Sequence, residues 1–222
     1  MTMANEGAKV QQTLRNLMGG SASVRLRAAL ASGAAPDPLQ VEGLVRRCAV
    51  EPDFHVRETL TWALTRHPAA LTVPRLIDEL RSPRARARSQ ALHTLSKIGD
   101  RRAWPAVTRE LMADADEDVA RSAWRAAVAL VPEGEEPGLA CLLVEQLGRG
   151  ERETMLSLSR ALIALGEPAD PVLRTAMSAP DPHVRRHAIA TERLAREPES
   201  GFDFAIEEAK RIVLLGTTGQ EE

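Results

Sequence analysis

The stretch DFHVRETLTWALTRHPAALTVPRLIDEL, from Asp53 to Leu80, decides the fold. Its first half carries apolar side chains at Val56, Leu60 and Leu64, and steps of four residues place them on one stripe of an α-helix. Its second half has Leu76 four residues before the final leucine, which is again helical spacing. The stretch therefore predicts two short amphipathic helices joined by a turn.

The first of these helices has a start signal that recurs along the chain. Asp53 is a suitable N-cap, because its carboxylate can accept hydrogen bonds from the unpaired N–H groups of the first turn. The same Asp-x-x-Val spacing returns at Asp116 and at Asp181, where Pro182 occupies the first helical position that proline tolerates. Including a serine start at 21 and looser copies at 84 and 151, the repeats begin at residues 21, 53, 84, 116, 151 and 181. The spacings of 32, 31, 32, 35 and 30 residues indicate stacked helical repeats.

A second row of apolar residues keeps the same register. Each of the first five repeats has a pair of them four residues apart in its second helix, namely Leu44/Cys48, Leu76/Leu80, Val107/Leu111, Leu143/Leu147 and Leu173/Met177. Atypical helices at about 5–18 and about 203–215 are expected to cap the two ends, and the tail 217–222 to be disordered. We therefore predict a single all-α domain over 1–222, a right-handed α-solenoid of about six helix pairs.

Two motifs resemble a known repeat family. Asp-x-x-Val-Arg at the start of the first helix, and Val-Pro-x-Leu-Ile-x-x-Leu from Val73 to Leu80, resemble the short HEAT-like repeats of bacteria, the type found in phycobilin lyases. The resemblance covers about Ser21 to Glu197. It implies an all-α repeat scaffold and is specific for architecture rather than for function. The signature patterns of tetratricopeptide and ankyrin repeats are absent from the sequence.

Composition narrows the class of protein. The chain is 44% hydrophobic but only 3% aromatic and has no tyrosine, which predicts an aliphatic, alanine-rich core. The formal charge of −2 provides no overall attraction to nucleic acid or to an anionic membrane. The sequence has neither a signal-peptide pattern nor an apolar run of about 20 residues, so we expect a cytoplasmic protein without a membrane partner. Its arginine- and alanine-rich composition indicates a bacterial source.

Few residues stand in a pattern typical of catalysis. His183 and His187 lie one helical turn apart, but no third metal ligand is evident, and we expect solvated surface histidines. Cys48 and Cys141 each fall on a predicted helix stripe, about three repeats apart, so two reduced thiols are expected rather than a disulfide or a nucleophile. We predict no metal and no cofactor, and we expect that the protein is not an enzyme.

Enzymes with HEAT-like repeats provide a third reading of the function. Alkylpurine DNA glycosylases of this architecture hold the damaged base with aromatic side chains, whereas this chain offers only Trp62, Trp104 and Trp124. Phycobilin lyases bind an open-chain tetrapyrrole, and no residue of this chain can be assigned to that role. Both readings depend on the architecture alone.

Charges alternate in sign along the second helices. The residues two positions beyond the first apolar residue of each pair are Arg46, Asp78, Arg109, Glu145 and the neutral Thr175, and the first four are predicted to pair. Two residues correspond to a rotation of about 200°, which directs this row away from the buried stripe. Neighbouring helix axes lie about 8–10 Å apart, within reach of long charged side chains. The row predicts a ladder across the concave face, and a groove of mixed charge that suits a protein or peptide.

Two further groups of side chains are candidates for partner contacts. Phe54 and Trp62 share one face of a first helix, off its buried stripe, and are predicted to be partly exposed. Arg84, Arg86 and Arg88 lie within a basic segment over 81–102, which is followed by an acidic segment over 112–136. Opposite signs in adjacent repeats indicate either a stacking device or a basic patch that binds a partner.

The sequence therefore favours a non-enzymatic scaffold or adaptor. Its concave face, lined by the second helices, is expected to hold a protein or peptide. The alternative is a protein that associates with nucleic acid through the basic edge around Arg84, Arg86 and Arg88. The acidic net charge and the small number of aromatic residues disfavour that alternative.

Overall fold

Helices begin where the repeat pattern places them. The residues that directly precede the six first helices are Ser21, Asp53, Arg84, Asp116, Glu151 and Asp181. Asp53 shows the capping geometry, since its Oδ1 accepts a hydrogen bond from the backbone N–H of Val56 at 3.0 Å. Arg84 and Glu151 provide no side-chain cap, so at these two positions the repeat spacing, rather than the residue type, predicts the helix start.

This computed structural model describes the backbone of residues 2–218 and the side chains of residues 7–199 and 201–213. The chain divides into two compact units, Met1–Thr108 (unit 1) and Arg109–Glu222 (unit 2), whereas the sequence predicts one continuous domain. Unit 1 contains α1 (Thr2–Leu17), α2 (Ala22–Ala34), α3 (Val41–Cys48), α4 (Phe54–Arg66), α5 (Ala69–Glu79) and α6 (Ala85–Ile98). Its two 3-10 helices are Pro38–Gln40 and Arg101–Ala106.

Unit 2 is also helical. Its α-helices are α7 (Arg109–Met112), α8 (Glu117–Leu130), α9 (Glu136–Val144), α10 (Arg152–Leu165), α11 (Asp170–Ala176), α12 (Pro182–Arg196) and α13 (Phe202–Thr218). Its two 3-10 helices are Glu167–Ala169 and Pro198–Ser200. Over residues 2–218 the structure contains no β-strand. Helix α13 includes residues 217 and 218, which we predicted to be disordered, and residues 219–222 lie outside the described part.

Unit 1 has two layers of helices around an aliphatic core. Helices α2, α4 and α6 pack side by side as the A layer, and α1, α3 and α5 form the B layer. Leu60 and Leu64 of α4 and Leu44 of α3 are fully buried where the layers meet. Burial of each such side chain contributes about 1.5–3 kcal/mol. At the end of α1, Leu17 is buried and Met18 is exposed.

Unit 2 repeats this arrangement. Helices α8, α10 and α12 form its A layer, with α9 and α11 on the other side, and α13 packs against α12. Trp124 of α8 is completely buried, and its indole Nε1 donates a hydrogen bond to the carbonyl oxygen of Met112 at 2.9 Å. That bond satisfies the one polar atom of a large core side chain.

The arginine of the Asp-x-x-Val-Arg motif has a structural role. Arg57 Nη1 donates to the carbonyl oxygens of Glu51 and Pro52, at 3.2 and 2.7 Å, in the turn before its own helix. The same contact recurs at Arg25, Arg88 and Arg185. These carbonyls follow the end of a second helix, so the guanidinium supplies donors to backbone groups that have no helical partner.

The fourth repeat has alanine instead of this arginine. Ala120 occupies the motif position, and the carbonyl oxygen of Asp114 accepts a hydrogen bond from Arg149 of the next loop. A donor from another segment therefore replaces the missing one.

A buried polar contact connects α4 and α6 in unit 1. Gln90 Nε2 donates to Thr61 Oγ1 at 3.0 Å, and the hydroxyls of Thr61 and Thr94 lie 3.2 Å apart. Thr94 Oγ1 also donates to the carbonyl oxygen of Gln90 at 2.8 Å. Buried polar groups are tolerated when each has a partner, so this chain of bonds fixes how the two helices pack.

An equivalent contact connects α10 and α12 in unit 2. His187 Nε2 lies 3.1 Å from Ser159 Oγ and 3.0 Å from the carbonyl oxygen of Met155, and Ser159 Oγ lies 2.7 Å from Thr191 Oγ1. The backbone N–H of Gly148 donates to His187 Nδ1 at 3.0 Å. Because Nδ1 accepts, the neutral ring carries its proton on Nε2 and donates from there. Burial lowers the pKa of His187 to about 4.

Candidate interaction surface

Charged side chains form a row on the outer surface of the B layer of unit 1. Arg46 Nη2 lies 3.3 Å from Glu42 Oε1 on the same helix. Arg75 of α5 lies between two carboxylates, with 3.7 Å from its Nε to Glu42 Oε2 and 3.9 Å from its Nη1 to Asp78 Oδ2. All four side chains are more than half exposed. Positive and negative groups therefore alternate across α3 and α5.

This row corrects the first step of the predicted ladder. Arg46 and Asp78 were predicted to pair directly, but each pairs within its own helix, and Glu42 and Arg75 make the connection between helices. Glu42 lies one turn before Arg46, which brings its carboxylate closer than any group on the next helix. The mixed sign of the surface remains, although the pairing differs.

The last step of the ladder is present in unit 2. Arg109 Nη2 lies 2.6 Å from Glu145 Oε2, and both side chains are exposed. An exposed pair of this kind contributes about 0.2–1 kcal/mol, so its effect concerns surface potential more than stability. The step from Asp78 to Arg109 connects the two units and stays a prediction, as does a role of all four residues in binding a partner.

An open groove of about 490 Å³ lies between α1 and α3 and borders the charged row. We call it the α1–α3 groove, and its lining residues are Gln11, Leu14, Arg15, Met18, Leu39, Glu42, Gly43 and Arg46. Gly43 allows close helix packing, because a Cβ atom there would lie 2.4 Å from Leu14 Cδ2. Leu39 and Met18 are 67% and 45% exposed, so the groove has apolar surface beside charges of both signs.

The predicted aromatic pair lies on the A layer. Phe54 and Trp62 are 59% and 41% exposed, which confirms that both side chains are off the buried stripe. Arg57 lies over the Phe54 ring, with its Cζ 5.8 Å from the ring centroid. The Trp62 ring covers Gly33 of α2, where a Cβ atom would lie 2.2 Å from Trp62 Cζ3. A role of the two aromatic residues in binding stays a prediction.

Two of the three arginines of the basic edge at the start of α6 donate hydrogen bonds to backbone carbonyl oxygens. Arg86 Nη1 donates to the carbonyl oxygen of Glu51 at 3.1 Å, and Arg88 Nη1 donates to that of Ser82 at 2.9 Å. Arg84 is exposed beside them. The charges remain, but two of the three guanidinium groups are oriented by backbone carbonyls. The proposed stacking of segment 81–102 on segment 112–136 involves both units and stays a prediction.

Sequence reasoning missed a buried ion cluster centred on Glu51. The carboxylate of Glu51 is fully buried and accepts two hydrogen bonds from Arg25, at 2.7 and 2.8 Å, and one from Arg47 Nε at 2.8 Å. Burial alone would raise the pKa of Glu51, but the bonds from Arg25, the backbone N–H of Asp53 and Arg47 hold it below its ordinary value. Glu51 lies in a loop, 26 residues from Arg25, so no helical spacing connects the two.

The histidine pair does not form a ligand set. His187 is completely buried, so the expectation that it is a solvated surface residue was wrong, and both of its ring nitrogens have protein partners. His183 is exposed on the first turn of the same helix. Position 187 faces the α10 layer, and the polar residues Ser159 and Thr191 make that position compatible with histidine. Among the residues that the structure describes, no group of three or more His, Cys, Asp or Glu side chains is placed to hold a metal ion.

The two cysteines are free and lie in different environments. Cys48 is buried, and burial raises the pKa of its thiol to about 12, although hydrogen bonds with Thr61 and Thr94 act in the opposite direction. Cys141 is exposed, so its assignment to a buried stripe of α9 was wrong.

Among the described residues, no helix combines the length and the apolar character that crossing a membrane requires.

Comparisons with known proteins agree with this architecture. Residues 41–130 match the family model described as HEAT repeats. In structure the chain is similar to one chain in the solved structure of the complex of CpcE and CpcF of phycocyanin lyase from Nostoc sp. PCC7120. The TM-score is 0.50 and the sequence identity 20%, over 96% of this chain and 88% of that chain. No curated protein matches the chain. The HEAT-like, all-α solenoid architecture is confirmed, and at this identity the similarity concerns the fold alone.

Proposed function

We propose that the protein is a non-enzymatic scaffold that binds a segment of a partner protein on the B layer of unit 1. The observation that carries this proposal is the α1–α3 groove, where Leu39 and Met18 leave apolar surface open to solvent. An apolar patch bordered by polar groups is typical of a site for another protein. The next helix, α5, extends the same surface with the exposed side chain of Leu71.

The charges around the groove favour a peptide over a polyanion. Helices α3 and α5 carry three basic and three acidic residues, so their net charge is zero. A phosphate backbone gains affinity from a continuous basic surface, and Glu42 and Asp78 interrupt that surface here. A peptide with charges of both signs can instead pair with each group of the row Arg46–Glu42–Arg75–Asp78.

The chemistry of the candidate catalytic residues supports a role in binding. A thiol with a pKa of about 12, such as that of Cys48, is protonated at neutral pH and is a poor nucleophile. His187 uses both ring nitrogens within the core. HEAT-like repeats and the similarity to a complex of two lyase subunits are in keeping with protein partners. Free thiols, one of them exposed, fit the reducing cytoplasm of a bacterium.

Capture experiments with matched surface variants test this proposal. The immobilised full chain is incubated with nuclease-treated extract of its native host, and the captured protein is identified by mass spectrometry and then titrated in purified form. The groove variant combines Met18→Glu with Leu39→Glu. The control variant combines Phe204→Glu with Ile212→Glu, which places the same charges at two exposed apolar positions of α13.

The proposal expects the groove variant to lose the captured protein and the control variant to keep it. Equal capture by both variants would contradict the assignment of the groove. Capture that occurs only from extract without nuclease treatment, together with strongly salt-dependent affinity for duplex DNA, would instead favour the nucleic-acid alternative at the edge formed by Arg84, Arg86 and Arg88.

A further inference from the structure

The A layer of unit 1 exposes apolar side chains in a regular position. Leu30 and Trp62 each stand nine residues after their repeat start, on the neighbouring helices α2 and α4. Leu30 is 46% exposed, and the Trp62 ring covers Gly33, one turn further along α2 on the same side as Leu30. Leu30 and Trp62 therefore form an apolar strip across two helices. Phe54 is also exposed on α4, two turns before Trp62, and Glu58 lies between them.

The charges around this strip are almost all positive. Apart from Arg25, which is buried against Glu51, helices α2, α4 and α6 carry six arginine or lysine residues and one acidic residue, Glu58. Arg27, Arg66 and Lys97 are exposed, and among the described residues none of them lies against a carboxylate. Arg27 is one turn before Leu30 on α2, and Arg66 is one turn after Trp62 on α4. The A layer is thus a basic face with an apolar centre, whereas α3 and α5 on the opposite side are neutral.

We propose that this face is a second docking surface, which binds an acidic amphipathic segment of a partner protein. Apolar side chains of the segment cover Leu30 and Trp62, and its carboxylates meet Arg27, Arg66 and Lys97. The pairing follows from charge complementarity around an apolar centre, the arrangement in which an amphipathic helix lies on a helical surface. This surface is distinct in position and in chemistry from the α1–α3 groove.

An acidic segment fits this face better than a nucleic acid does. Leucine and phenylalanine side chains offer no partner to a phosphate group, whereas they can pack against the apolar face of an amphipathic segment. One side of the Trp62 indole is already covered by the backbone of α2 at Gly33, which leaves less of the ring for base stacking.

Fluorescence anisotropy with a defined probe tests the proposal. The probe is a labelled synthetic helix with leucines on one face and glutamates on the other. Two comparison peptides have the same composition in scrambled order, or lysine in place of glutamate, and a labelled DNA duplex is the fourth ligand. The full chain is compared with two test variants, Trp62→Ala and the double variant Arg66→Glu/Lys97→Glu. Arg66 and Lys97 are exposed, so the double variant still tests the proposal if Trp62→Ala impairs folding.

Matched controls place the same changes in unit 2. Phe204→Ala removes an exposed aromatic side chain, and Arg160→Glu/Arg174→Glu reverses two exposed charges. The proposal expects the acidic helix to bind in preference to the other three ligands, and each test variant to weaken binding about tenfold or more, while the controls stay within about twofold. Raised salt should weaken binding of the acidic helix.

Three outcomes would overturn the proposal. The first is that test and control variants bind the acidic helix with equal affinity. The second is that the chain binds the scrambled and the amphipathic peptide equally well. The third is that the chain binds the duplex more tightly than the acidic helix, and that Trp62 and Arg66 are needed for this binding too. Capture at the α1–α3 groove is measured separately, so loss of this second surface leaves the first proposal intact.

Discussion

The same buried hydrogen-bond arrangement occurs in both units but with different chemistry. In unit 1 the amide of Gln90 donates to Thr61, and in unit 2 the ring of His187 takes the place of that amide beside Ser159. Gln90 and His187 each stand six residues after their repeat start. An amide does not titrate near neutral pH, whereas an imidazole does, so this contact is sensitive to acid only in unit 2. The repeat determines where this contact lies, and the residue type determines whether the contact depends on pH.

The units also differ in which side chains they bury. Unit 1 buries an ion cluster at Glu51 and leaves Trp62 at the surface, while unit 2 buries Trp124 and exposes the ion pair between Arg109 and Glu145. The core of each unit therefore depends on a different kind of interaction. Paired substitutions, one in each unit, measure that difference.

The largest contrast is expected at the two tryptophans. Trp124→Ala should reduce the free energy of unfolding by about 4 kcal/mol, because it leaves a large cavity in the core and an unpaired Met112 carbonyl oxygen. Trp62→Ala should cost about 1 kcal/mol, since its side chain is partly exposed. Urea unfolding followed by circular dichroism measures both values. Similar losses would show that the A-layer strip of unit 1 is core rather than surface.

The next contrast concerns the carboxylates. Glu51→Ala should lower the free energy of unfolding by about 3–5 kcal/mol, because Arg25 is then buried without a counter-charge. The matched change in unit 2, Glu145→Ala, removes an exposed partner of Arg109 and should cost less than about 1 kcal/mol. Urea unfolding measures the free energy lost in each variant. A smaller loss for Glu51→Ala than for Glu145→Ala would mean that the ion cluster does not stabilise unit 1.

A smaller contrast is expected at two glycines with left-handed backbone. Gly148 has a φ of +80°, and a Cβ atom there would lie 3.2 Å from the backbone of His183 and Val184. Gly148→Ala should therefore cost about 2–3 kcal/mol, which combines backbone strain with displacement of α12. Gly99 has a φ of +69° with open space around it, so Gly99→Ala should cost about 1 kcal/mol. The melting temperatures of the two variants show which one is less stable. A lower melting temperature for Gly99→Ala than for Gly148→Ala would contradict the close packing at Gly148.

A further contrast is the acid sensitivity of the His187 contact in unit 2. The pKa of His187 lies at about 4 in the folded protein, below its ordinary value of 6.5, so the unfolded chain binds the proton first. Stability is then fully present above about pH 6.5 and is lost as the pH falls toward about 4, with a loss of about 2 kcal/mol between about pH 7.5 and pH 5. The charge of Arg186 contributes to the low pKa, and Phe202 packs edge-on against the ring.

A glutamine variant isolates this effect. His187→Gln places in unit 2 the residue that unit 1 has at the equivalent position, and it should flatten the pH dependence of the urea midpoint between about pH 7.5 and pH 5. Glu51, whose pKa is lowered, contributes its own loss only at more acidic pH. If the variant keeps the dependence of the parent chain, His187 is not the titrating group.

Helix starts and buried stripes were predictable because they are local. Asp53 caps its helix through a bond to Val56 three residues away, and Leu60 is buried because of its spacing from neighbours on the same helix. The exposed pair Phe54 and Trp62 follows from the same periodicity. The partner of Arg46 was not predictable from register alone, because Glu42 on its own helix competes with Asp78 on the next.

The sequence by itself determined the all-α repeat architecture, the start of each repeat and most of the buried apolar positions, although not the exposure of Cys141. These features depend on interactions between residues three or four apart, and on a period that the chain repeats. Only the tertiary structure decided that Glu51 is buried among arginines, that His187 lies in the core and that Arg75 completes the charged row. Such contacts join residues from 26 to 39 positions apart or from neighbouring helices, and their energies depend on burial, which helical periodicity does not specify.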